Sequence, residues 1–222
     1  MLQKTTIRFL KDLSANNNRE WFASQRAAYE NAKNDFDQFT GKLIEALSAV
    51  NPELKGLQPK DCTFRIYRDV RFSKNKDPYK TNLGVSIKEG GRKSPRCGFY
   101  FQADPSVKGG SFIAGGFWMP DAPLLRKIRQ EIEYNSDEFF SVLRDRTFKK
   151  YFRDLEQDYT LKRLPKGFEA GHPAEEYLKM TSFIVSHNLT HAALTDKNLL
   201  KTCVHTYKAM LPFLRFLNRA ID

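Results

Sequence analysis

Apolar side chains recur at helical spacing through the first fifty residues. Residues 5–13 predict a short amphipathic helix. From 19 to 50, Trp21, Phe22, Tyr29, Phe36, Phe39, Leu43, Leu47 and Val50 predict one long helix. Asn17 stands at its start as the N-cap, and Glu20 three residues on completes an Asn form of the capping box. Asn51-Pro52 ends it. Roughly 30 residues at about 1.5 Å each give about 45 Å of helix, which needs a broad surface to lie on.

The period then changes from that of a helix to that of a strand. Leu83, Val85 and Ile87 alternate with Asn82, Gly84, Ser86 and Lys88. After a Gly90-Gly91 turn, Cys97, Phe99, Phe101 and Ala103 alternate with Arg96, Gly98, Tyr100 and Gln102. Residues 111–118 are apolar on both sides, as in a more deeply covered strand. Together with residues 63–72 these predict a mostly antiparallel meander across residues 62–118. Asp121 and Pro123 open a further helix whose Leu124, Leu125, Ile128 and Ile132 face inward. Residues 137–155 and 197–221 are also helical, the latter with a kink or break at Pro212. Residues 162–173 form a loop rich in Pro and Gly. The expectation is a single α+β domain over residues 1–222. About four or more antiparallel strands pack against a long N-terminal helix and C-terminal helices.

Composition adds little to the fold but bounds the chemistry. A chain of 222 residues with 41% hydrophobic content has enough apolar surface for a proper core. Cys62, Cys97 and Cys203 show no metal-type spacing, so each reads as a reduced, small hydrophobe. The N-terminus lacks the apolar run of a signal peptide, and no stretch approaches the length of a membrane span. A soluble cytoplasmic protein without membrane partner, metal or cofactor is expected. The net charge is +11, and residues 61–118 hold 11 Lys and Arg against 5 Asp and Glu. Such an excess attracts nucleic acid or anionic metabolites; equally, it keeps a protein soluble.

The excess centres on residues 64–80, where Arg65, Arg68, Arg71, Lys74, Lys76 and Lys80 interleave with Tyr67, Phe72 and Tyr79. In a strand, Phe64, Ile66, Arg68, Val70 and Phe72 share a core face, and Arg68 falls in its middle. A buried guanidinium needs a partner, so Arg68 pairs with an internal acid, turns outward at a bulge, or faces a ligand. On the opposite face Asp69 lies two residues from both Tyr67 and Arg71. Gly84 and Gly98 share the polar parity of Ser86, Tyr100 and Gln102, and missing side chains leave room for a ligand. A groove floored by glycines and walled by Arg and Tyr suits a phosphate or a carboxylate. Residues 73–81 lack the glycines of a P-loop, and the S-x-x-K spacing of Ser73 and Lys76 falls in a loop instead of at a helix start. His187 and His191 have H-x-x-x-H spacing without the Glu of a zincin, so no metal site is expected.

The stretches RIYRDVRFSKNKDPYKTN at 65–82, NNREWF at 17–22, GFYF at 98–101, GGFWMP at 115–120 and LKRLPKGF at 161–168 resemble the family grouped as domain of unknown function 2461. That resemblance spans nearly the whole chain and implies a single α+β domain, with no established activity or cofactor. The family pattern carries an Asp where this chain has Asn75, so a carboxylate is missing at that position.

Three readings follow from the residues. The first is a binding domain for an anionic small molecule, neutralised by Arg65, Arg68, Arg71, Lys76 and Lys80 and walled by Tyr79, Tyr100 and Trp118. The second is an enzyme acting on a phosphorylated small molecule in the same groove, with Asp69 or Tyr79 as acid or base. Arginines beside Asp69 lower its pKa, which suits it to positioning better than to proton donation. The third, nucleic-acid binding, gains from the charge and the interleaved aromatics. It is not favoured, because the cluster is compact and no RNP, KH or helix-turn-helix pattern occurs.

Overall fold

The computed structural model describes residues 1–222. In chain order the elements are α1 (Lys4–Ala15), α2 (Arg19–Ser24), α3 (Arg26–Ser48), a 3-10 turn (Pro52–Leu54) and α4 (Pro59–Cys62). Then come β1 (Leu83–Ile87), β2 (Gly98–Ala103), β3 (Phe112–Phe117), α5 (Ala122–Tyr134), α6 (Ser136–Arg144), α7 (Arg146–Tyr151) and α8 (Glu175–Leu178). β4 (Phe183–Asn188), α9 (His191–Leu194) and α10 (Leu199–Asn218) complete the chain. The fold is α+β, with an antiparallel sheet of order β1-β2-β3-β4, a long N-terminal helix and C-terminal helices. No helix is long and apolar enough to cross a membrane.

Two details of the sheet and the long helix differ from expectation. Residues 63–72 do not form a strand; the fourth strand is β4, whose Phe183 and Val185 are buried while Ile184 and Ser186 are half-buried. The helix expected over 19–50 is broken at Gln25, which leaves helical geometry at φ −100° and ψ 18°. The N-cap of α2 is Asn18, whose side chain accepts from the Trp21 N–H. Asn17 is released for another task, described below.

The chain divides into two compact units. The first holds residues 1–93, 100–113 and 188–205. Within it the amphipathic face of α3 meets the sheet, with Phe36 and Phe39 at 6.3 and 5.4 Å from the ring of Phe101. The expected strand parity holds, since Leu83, Val85, Ile87, Phe101 and Ala103 are all buried. Asp35 of α3 accepts from the Gln3 N–H at 2.9 Å and the Thr6 hydroxyl at 2.6 Å, which ties the start of α1 to α3. Gly90 and Gly91 both take positive φ, 76° and 75°, and make the turn that leaves β1.

The second unit holds residues 94–99, 114–187 and 206–222. Asp121 caps α5 by accepting from the Leu124 N–H, as its sequence predicts. Gly115 and Gly116 let other elements close on β3. A Cβ on Gly115 would lie 2.4 Å from Met210 Sδ, and one on Gly116 would lie 1.9 Å from the Phe183 carbonyl. Pro212 lies within α10, which continues through it as one helix. Cys62, Cys97 and Cys203 are reduced and buried. Burial pushes the Cys62 thiol up to about 11, and the Cys203 thiol up to about 12.

Candidate functional site

The basic segment belongs to the first unit and is held at three places. At its start, Thr63 bridges Val85 and the Phe64 N–H donates to the Gly84 carbonyl at 3.0 Å, against β1. It then folds back on itself: Tyr67 bridges Tyr79, the Arg68 N–H donates to the Pro78 carbonyl, and the Lys80 N–H donates to the Ile66 carbonyl. The third anchor is Asn17. Its amide donates to the Tyr79 carbonyl at 2.9 Å and accepts from the Tyr79 N–H at 3.2 Å. The side chain thus satisfies both backbone groups of Tyr79, as a neighbouring strand would. The Tyr79 ring stacks on Phe22 at 3.9 Å and is buried.

Beyond Tyr67 the ladder stops for local reasons. Asp69 accepts from the backbone N–H of Arg71, and Asn75 accepts from that of Asp77. Such short-range side-chain bonds compete with strand pairing, and Pro78 has no N–H to offer. The alternation of a core face fails with it. Ile66 is buried, but Phe64 is 41% and Phe72 96% exposed.

Arg68 is therefore not a buried ion. Its side chain keeps 26% of its exposure, with Asp77 at 4.0 Å and the Ser73 hydroxyl accepting at 3.4 Å. Arg65 is exposed, and neither it nor Lys80 forms an ion pair. Burial, and then the charges of Arg65 and Arg68, hold the Lys80 ammonium below its ordinary pKa. Arg71 is different: it forks onto Asp69 with bonds of 3.0 and 2.7 Å. Those bonds, with a smaller contribution from Arg65, hold the Asp69 carboxyl below its usual range. Lys76 donates to the Val70 carbonyl at 3.1 Å, so Ser73 and Lys76 do not face each other as nucleophile and base.

At Gly84 the expected glycine floor is not open. A Cβ on Gly84 would come within 2.8 Å of Tyr100 Oη, so the Tyr100 side chain fills that space. Its hydroxyl donates to Gln102 Oε1 at 2.8 Å, and Gln102 donates on to the Gly110 carbonyl. Burial pushes the Tyr100 phenol up to about 12. Of the residues singled out by sequence, the structure brings Arg65 and Arg68 near enough to Lys80 for their charges to act on it. Tyr100 borders them through Phe64, at 6.2 Å from that ring, while Tyr79 is packed away on Phe22. Trp118 lies in the second unit, 66% exposed and edge-on to Tyr159 at 6.5 Å. His187 is in β4 and His191 opens α9, so no helix presents the pair; no group of three or more His, Cys, Asp or Glu could hold a metal ion.

A family model described as a conserved hypothetical protein, DUF2461, matches residues 5–216. The chain belongs to the DUF2461 family. No curated protein and no solved structure matches this DUF2461 chain. Asn17, the residue that clasps the basic segment, falls within the DUF2461 match, as do all eight predicted ligand contacts. The sequence signal for Asn17 was ambiguous, since three consecutive Asn residues (16–18) all suit an N-cap.

Proposed function

We propose that this chain binds a phosphate- or carboxylate-bearing anion on residues 64–80, with Arg65, Arg68 and Lys80 at the centre. One observation carries the reading: Lys80 is half-buried with the charges of Arg65 and Arg68 acting on it and no carboxylate paired to it, while the carboxylate of Asp77 stands at 4.0 Å from Arg68. Like charges brought together cost free energy that an arriving anion relieves. Arg71, already forked onto Asp69, and Lys76, bonded to a backbone carbonyl, are secondary contacts that an anion recruits by exchange. Asp69 serves to position Arg71 and Tyr79 to pack the segment; neither is set up for proton transfer. Three reduced, buried thiols fit a reducing, cytoplasmic setting.

Titration calorimetry with tripolyphosphate at low salt tests this. Wild-type protein is expected to bind, and the triple variant Arg65→Ala/Arg68→Ala/Lys80→Ala to bind at least roughly tenfold more weakly, with unchanged circular dichroism. Equal affinity in the two proteins would sink the proposal.

A further inference from the structure

Resting on that reading, we infer that the anion is a single-stranded nucleic acid. The cations of residues 64–80 meet its phosphates, and Phe72, Phe64 and Tyr67 stack on its bases. A free small metabolite is best held in a concave site that buries most of its surface. Here the space over Gly84 is taken by Tyr100, and the rings beside the cations point outward. Phe72 is 96% exposed, with Phe64 and Tyr67 each at 41%. A phenyl ring that open contributes nothing to the core.

Each of these rings has its own cation. Arg71 lies 6.0 Å from the centre of Phe72, and Lys80 lies 5.5 Å from that of Phe64. The Tyr67 hydroxyl accepts from the Arg26 guanidinium at 3.2 Å. Each exposed ring is thus paired with a cation, the combination of stacking face and positive charge used by sequence-tolerant single-strand binders. Six Lys and Arg stand against two acids, Asp69 and Asp77, and both acids already lie beside arginines. Duplex DNA is a poorer match, because the segment presents no helix to a groove and its antiparallel pairing extends only around the Tyr67–Tyr79 bridge. A lipid surface favours apolar side chains gathered at one tip, whereas Phe72 stands alone among Arg71, Lys74 and Lys76.

Fluorescence anisotropy with labelled oligo-dT and oligo-rU of about 12 nucleotides, and a duplex of the same length, provides the test on the full chain. Both single strands are expected to bind at least roughly tenfold more tightly than the duplex. The exposed variant Phe72→Ala is expected to weaken them about 5- to 150-fold while changing tripolyphosphate affinity less than about twofold. Lys76→Ala is expected to reduce the slope of log affinity against log salt by about 0.7. If tripolyphosphate binds through the cations but the oligonucleotides are indifferent to Phe72, the nucleic-acid inference is overturned and the anion site stands. If neither binds, both fall. Retention on phosphatidylserine vesicles that depends on Phe72, without oligonucleotide binding, would overturn it in favour of a membrane surface.

Discussion

At the scale of single residues, Asn17 is an uncharged anchor of the candidate site. It holds both backbone groups of Tyr79, and Tyr79 is the return point of the basic segment. Asn17→Ala leaves a buried residue's carbonyl and N–H without partners, and is expected to cost about 1–3 kcal/mol by urea denaturation. Asn18→Ala removes only an N-cap and is expected to cost about 1 kcal/mol. A smaller effect at 17 than at 18 would show that the clasp is unimportant. The sequence could not separate the two, because adjacent Asn residues differ only in which way the chain turns between them. Arg68 teaches the same lesson. Its place on an alternating face marked it for burial, but Asp69 and Asn75 bond to nearby amides and end the strand before the alternation can act.

At the scale of elements, periodicity found what burial enforces. Leu83, Val85, Ile87, Phe99 and Phe101 alternate because one face of the sheet is covered, and α5 begins at its Asp121 cap. The break at Gln25 was not legible, since Ser24 and Gln25 are tolerated in helices and a single non-helical residue leaves the apolar spacing almost intact. β4 carried a readable signal in Phe183 and Val185, weakened by its shortness and by its distance along the chain from the other strands. Its pairing with β3 depends on Gly116, at φ 123° with the Phe183 carbonyl where a Cβ would go. Gly116→Ala is expected to destabilise by about 3 kcal/mol or more, through backbone strain and the forced separation of β3 from β4. A thermal melt within error of wild type would contradict that pairing geometry.

At the scale of the whole molecule, the net charge of +11 sets solubility and the pull on anions, and burial sets the response to alkali. Tyr100 and Tyr177 are each pushed up to about 12, chiefly by burial and, for Tyr177, also by the Asp154 carboxylate. Both are raised above the ordinary value of 10.0, so their contribution to stability is complete below pH 10 and is lost as pH rises through about 12. The urea midpoint is expected to fall between neutrality and about pH 11, and to fall less steeply in Tyr100→Phe. Parallel declines would remove Tyr100 from the account. The three native thiols have a further use. Thiolate chemistry at neutral pH scarcely touches groups titrating near 11 and 12, and Cys97 is buried as well. A cysteine installed at position 72 would thus stand as the one readily alkylated sulfur, a ready-made attachment point for a spin label or dye on the proposed binding loop.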